Sequence, residues 1–338
     1  FAREDTMLTR RQLFQAAAAT ALGTAAHAQT VDLDRLLAIP GPGRVRVVLD
    51  TDTYNEIDDQ YALAYCLLSP ERMAVEAIYA APFVNDRSAS ALEGMEKSYE
   101  EILRLLNFFS HVDPSIALRG SDRFFEQRDR PVESPAARDL IDRALQPGDE
   151  PLYVLTIGGP VNVSSAILLE PKIKEKIVVV WLGGTPAYWP FATEFNLRQD
   201  VIASQVLFDS GVPLVQIPTK NVAEHLRTTV PELDRHMRGR SRIGDYLYGQ
   251  FLEYSAVRMN NRGQSKDFPW SKVIWDISAV AWLNNPEWVP SDIVPSPVLT
   301  DDMRWERATG RHKIRVANNV DRDAVFNDLF PRLAGLQG

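Results

Sequence analysis

Cysteine is nearly absent from this chain. Cys66 is the only one in 338 residues, so no intrachain disulfide can form and a thiol-rich metal site is excluded. It falls in an apolar run of helical spacing and reads as core. Histidine is scarce too. His27, His111, His225, His236 and His312 are scattered, with no pair at the helical spacing of a zinc site. Any metal must therefore be held by oxygen. Basic charge is also short: 37 Lys and Arg stand against 45 Asp and Glu, a formal net charge of −8. Without a basic surplus there are no counterions to release from phosphates, which argues against nucleic acid and for a neutral or cationic small molecule as partner. Beyond the N-terminal segment no apolar run is long enough to span a bilayer.

The composition that remains, 45% apolar and 24% charged, is that of a globular chain able to bury a large core. From Met7 the sequence reads MLTRRQLFQAAAATALGTAAHAQT. It has a basic start, an alanine-rich apolar stretch and a small-residue cleavage pattern at Ala26, His27 and Ala28. Arg10 and Arg11, with Thr9 before them and Leu13 and Phe14 after, resemble a twin-arginine export signal. Residues 1–28 are thus expected to hold a short upstream stretch and a signal peptide, which makes the mature protein periplasmic or secreted. An amphipathic N-terminal helix is the alternative reading.

After the turn-rich Pro40 to Gly43, Arg44 to Leu49 reads as a strand ending in Asp50, with a helix from about Asp58 to Leu68. The order recurs: Val75 to Ala80 before a helix around Ala89 to Phe108, Leu152 to Ile157 before Val163 to Leu169, Ile177 to Leu182, then Val201 to Phe208 before Val212 to Ile217. Short apolar strands separated by helices predict an α/β fold, one domain over residues 31–338 with a mostly parallel open sheet flanked by helices. Ser110 to Pro135 reads as a surface loop, and Met303 to Leu333 as a strand pair plus a terminal helix. In such sheets ligands bind beyond the carboxyl ends of the strands. Each chemically loaded segment lies directly after a predicted strand.

The first of these segments, VVLDTDTYNEIDDQYAL, puts Asp50, Asp52, Glu56, Asp58 and Asp59 at one strand-to-helix junction. Asp58 and Asp59 suit a helix N-terminus. The whole set does not, because unit charges about 4 Å apart repel by roughly 4 kcal/mol at an effective dielectric near 20, and nothing basic is close in sequence. A hard cation held by carboxylate oxygens relieves that repulsion. The same Asp50-Thr51-Asp52-Thr53 also suits a DxDxT-type phosphatase, with Asp50 as nucleophile and Asp52 as general acid. That reading supplies Lys220 as the later lysine but finds no downstream acidic motif.

The DxD followed by DDQYAL resembles the signature of the nucleoside hydrolases. Three further segments match in order: IGGPVN from Ile157 to Asn162, ATEFN with Glu194 and Asn196, and Asp276 in VIWDISAVAWL. Asn85 matches a family asparagine that contacts the sugar. The resemblance covers about Arg44 to Ala281. It implies a calcium-dependent hydrolase that cleaves the N-glycosidic bond of ribonucleosides or a related N-ribosyl compound. Asp52, Asp59, Asp276 and the main-chain oxygen of Ile157 are then calcium ligands, and Asp58 is the general base. Asn85, Glu194 and Asn196 hold the ribose, while Asp50, Glu56 and Asn162 support the site. A metal-held water, deprotonated by Asp58, would add to an oxocarbenium-like anomeric carbon.

Two departures stand out. TYNEI between Asp52 and Asp58 is two residues longer than the family spacing, which lets Tyr54, Asn55 or Glu56 enter the site. Trp275 stands where purine-cleaving members have a histidine. Its indole can stack on an aglycone but cannot transfer a proton. The sequence leaves the nucleobase and any homo-oligomer open, and a non-catalytic periplasmic sugar or nucleoside binder remains a third reading.

Overall fold

The computed structural model describes residues 32–265 and 269–335. The expected signal segment, residues 1–28, lies outside the described residues. Asp32–Gly338 forms one compact unit.

Its centre is an eight-stranded sheet in the order β3-β2-β1-β4-β5-β6-β12-β9. The strands are β1 (Val45–Thr51), β2 (Met73–Ala80), β3 (Ala117–Arg119), β4 (Leu152–Thr156), β5 (Ile177–Leu182), β6 (Leu214–Ile217), β9 (Ser291–Pro295) and β12 (Lys313–Ala317). All neighbours are parallel except β9, which runs antiparallel to β12 at the edge. Two small ribbons complete the strands: β7 (Arg227–Thr228) with β8 (Lys272–Val273), and β10 (Val298–Leu299) with β11 (Trp305–Glu306).

The apolar strands explain this arrangement. Ala77 and Tyr79, Leu152 and Val154, Ile177, Val179 and Trp181 alternate onto one face, where they pack with Leu207, Phe208 and Leu214. The intervening Val47, Leu49, Leu155, Val178 and Val180 are equally buried. Both faces are therefore covered, which needs strands apolar throughout and crossovers through helices. The helices that matter for the site are α1 (Asp58–Leu67), α2 (Val161–Leu169), α3 (Phe195–Gln199), α4 (Arg242–Asn261) and α5 (Ile277–Asn284).

Two expectations need correction. The stretch from Ser110 to Pro135 is not all surface loop, because Ala117–Arg119 adds to β2 as an edge strand. Three residues are too few to give a period. Met303 to Leu333 ends in the expected helix, Arg322–Leu333, but its two strands do not pair with each other. Trp305–Glu306 joins β10 instead, and β12 inserts between β6 and β9. Local pattern cannot choose a strand's partner.

Candidate active site

The strand order reverses direction between β1 and β4, and ligands in open α/β sheets bind at such a switch point. Both strands are completed there by loaded segments. A backbone bond holds the two exits side by side, Ile157 N–H donating to Asp50 O at 2.8 Å, and Ala81 N–H, just past β2, donates to Thr51 O at 2.8 Å on the other side of β1. Gly158 permits the approach, since a Cβ at that position would lie 3.1 Å from Asp52 Cγ.

A cavity of about 270 Å³ opens above this junction, lined among others by Asn55, Glu56, Asp58, Asp59, Ile157, Glu194, Asn196, Lys220, Trp275 and Asp276. Asp58 and Asp59 open α1, and Asp276 precedes α5. Oxygens of these three buried carboxylates lie within 4.8 Å of one another. Asp52 is buried against Asp59, and its Oδ2 has no hydrogen-bond partner among the described residues. Burial, with the Asp59 charge next, pushes the Asp52 carboxyl well up. Asp276 moves the same way, through burial and then the charges of Asp59 and Asp58. Asp59 is pushed up to about 7 by burial and the Asp58 charge, against the Thr51 hydroxyl that donates to it at 2.6 Å. Burial and mutual repulsion both favour the protonated forms of these packed carboxylates.

Asp50 stands behind this group. Its Oδ1 accepts from Asn162 Nδ2 at 2.8 Å, and Asn162 Oδ1 in turn accepts from Ser121 N–H and Oγ–H at 2.7 and 2.9 Å. Burial takes the Asp50 carboxyl to about 7, with the Asn162 bond opposing. Asp50 does not line the cavity, so it is not placed as the attacking group that the phosphatase reading requires.

The sugar-binding set is divided. Glu194 caps α3, accepting from the N–H groups of Gly184, Asn196 and Leu197 at 2.9, 3.1 and 3.2 Å. Asn196 Nδ2 donates to the carbonyls of Ile157 and Leu182 at 2.8 and 2.9 Å, tying the exit of β4 to that of β5. Both residues line the cavity, whereas Asn85 does not. Its amide donates to Asn55 Oδ1 at 2.7 Å and to Asn55 O at 3.2 Å. Asn55, brought in by the longer loop, is the asparagine that faces the cavity. Tyr54 and His225 are not among the lining residues.

Lys272 was missed from sequence. It sits on β8, buried, and donates to Glu56 Oε2 at 2.6 Å, Asp58 Oδ1 at 3.1 Å and Val273 O at 3.0 Å. Burial alone lowers its proton affinity, but Asp58 and Glu56 more than offset this and hold it above the ordinary lysine value. Burial alone would raise Glu56. Lys272, the Tyr254 hydroxyl and Arg258 together hold it below its usual value. The signal available beforehand was arithmetic: five acids in one turn need counter-charges, and a lysine far along the chain supplies one.

The family model described as inosine-uridine preferring nucleoside hydrolase matches residues 47–327. Pyrimidine-specific ribonucleoside hydrolases RihA from Escherichia coli and from Salmonella typhimurium are each 26% identical to this chain over 270 residues, covering 71% of it and 80% of their own length. Among solved structures, a plant nucleoside hydrolase superposes with a TM-score of 0.68 at 20% identity, covering 87% of this chain and 99% of its own. A purine-preferring ribonucleoside hydrolase from Gardnerella vaginalis gives 0.66 at 21%, with 86% and 98% covered. Since the family match spans most of the sequence and takes in every loaded segment from Asp50 to Asp276, the chain belongs to the inosine-uridine preferring nucleoside hydrolases, enzymes that cleave N-glycosidic bonds.

Proposed function

We propose that this enzyme is a calcium-dependent N-ribohydrolase acting on a ribonucleoside or a close N-ribosyl relative, exported through its twin-arginine segment. The observation that carries the reading is the buried carboxylate group at the β1–β4 switch, with Asp52 Oδ2 left without a partner among the described residues. An all-oxygen donor set of this charge fits a hard divalent cation. Asp52, Asp59, Asp276 and the main-chain oxygen of Ile157 would hold it. When bound, such a cation makes a coordinated water easier to deprotonate.

Asp58 is the proposed proton acceptor. It lines the cavity and is oriented from behind, Oδ1 by Lys272 and Oδ2 by the Trp275 N–H at 3.2 Å. Asp52 Oδ2, which has no hydrogen-bond partner among the described residues, favours a second reading in which Asp52 takes that proton. Asn55 and Asn196 face the sugar hydroxyls. With its amide nitrogen engaged by two carbonyls, Asn196 offers Oδ1. The acidic walls stabilise positive charge developing at the anomeric carbon. Trp275 presents an aromatic face to the leaving group.

Reducing-sugar release, measured over a panel headed by pyrimidine ribonucleosides because the RihA relatives are named pyrimidine-specific, tests the reading. Release that disappears on chelation and returns with calcium supports it. Saturable nucleoside binding without ribose release refutes it. Export is tested separately by changing Arg10 and Arg11 to lysine, which leaves precursor in the cytoplasm if the segment is used.

A further inference from the structure

The counter-charges of the acidic cluster are unevenly distributed. Asp58 lies as close to Asp59 and Asp276 as a shared cation requires, yet among the described residues it alone of the three has a protein cation on it. The Lys272 ammonium has three N–H donors, and Glu56, Asp58 and the Val273 carbonyl take all of them. It has nothing left for a substrate or a leaving group. The lysine is itself fastened. Glu56 Oε1 accepts from the Tyr254 hydroxyl of α4 at 2.6 Å, and Arg258 of the same helix approaches it at 3.5 Å.

We propose that Lys272 is a positioning residue that withholds Asp58 from the metal and keeps its carboxylate aimed into the cavity, with Glu56 and Tyr254 fixing the lysine in place. The inference rests on the cation-dependent reading above. Its physical basis is competition. A positive charge 3.1 Å from Asp58 Oδ1 competes with a divalent ion for that carboxylate and repels the ion as well. Without it, Asp58 becomes one more ligand, and its carboxylate is drawn from its place facing the substrate towards the cation. Removing Lys272 therefore tightens cation binding while slowing turnover. A loosened fold weakens both.

The experiment is a calcium titration of the chelator-treated full protein by calorimetry, with kcat and KM for ribose release measured beside it. Lys272→Met should bind calcium tighter by on the order of tenfold, with kcat lowered at least as much and KM little changed. Lys272→Arg should keep the wild-type affinity. Glu56→Gln should bind more weakly, and the double variant should return towards wild type, since the two charges leave together. If Lys272→Met does not fold, the step from Glu56→Gln to the double variant carries the same comparison, and tightening is again expected. Folded variants lacking Lys272 whose calcium affinity is unchanged or weaker, in a wild-type background that binds calcium, overturn the inference alone. A wild-type protein that binds no divalent cation overturns the cation-dependent reading and the inference with it.

Discussion

Consider the enzyme stripped of divalent cations and melted at a series of pH values. Burial and the Asp58 charge move the Asp59 carboxyl from 3.8 up to about 7. In the unfolded chain it ionises near its ordinary value, so between the two the folded protein holds a proton that the unfolded chain has lost. This contribution to stability is full below about pH 4 and is lost as pH rises through about 7. A gap of roughly three units is worth about 4 kcal/mol, and Asp52 and Asp276 shift in the same direction. The cation-free protein should therefore lose several degrees of Tm between about pH 5 and pH 8. Calcium takes the place of the protons. At a hundredfold excess over its Kd it adds about 2.7 kcal/mol at the higher pH, and much less at the lower, where protons compete. Thermal unfolding in chelator and in calcium across that range measures both effects. A Tm in chelator that does not change with pH, or a calcium effect equal at both ends, would refute the reasoning.

Three further outcomes are expected. Asp58→Asn should lower kcat by about 10²-fold or more with calcium affinity weakened far less, whereas Asp59→Asn should weaken calcium binding first; calorimetry beside turnover separates them. Asn55→Ala should raise KM for ribonucleosides more than Asn85→Ala does, because only Asn55 faces the cavity and Asn85 acts through it. Trp275→Ala should raise KM for aromatic aglycones with Tm little changed, since Trp275 is half-buried at the cavity wall. A lowered Tm with an unchanged substrate profile would show that the indole only packs.

The strands of the central sheet were legible because burial on both faces forces continuous apolar runs, and Ile177–Leu182 is bounded as the pattern predicts. The loaded segments were legible because the strand ends collect them. Asp50 and Asp52 leave β1, Ile157 leaves β4, and Asp276 arrives by a separate route to meet Asp59. What sequence could not supply was pairing at a distance. The repulsion among the acids after β1 was answered from sequence by a cation, with nothing basic nearby, but Lys272 balances part of it, through Glu56 and Asp58. Asn85 was assigned to the sugar by position. In the structure Asn55 lines the cavity and Asn85 donates to it, and no periodicity reports which of two asparagines ends nearer the cavity. Strand partners at the C-terminal edge failed for the same reason.

The contact between Glu56 and Lys272 joins residues 216 positions apart in the chain, and neither is comfortable without the other. Loss of the lysine leaves two carboxylates facing each other, while loss of the glutamate leaves a buried ammonium only half matched. Such a pair is inherited as one trait. Among descendants of a common ancestor, the longer loop, its glutamate and the distant lysine should be gained or lost together. A lineage that shortens the loop to the usual family spacing should carry an uncharged residue where Lys272 stands.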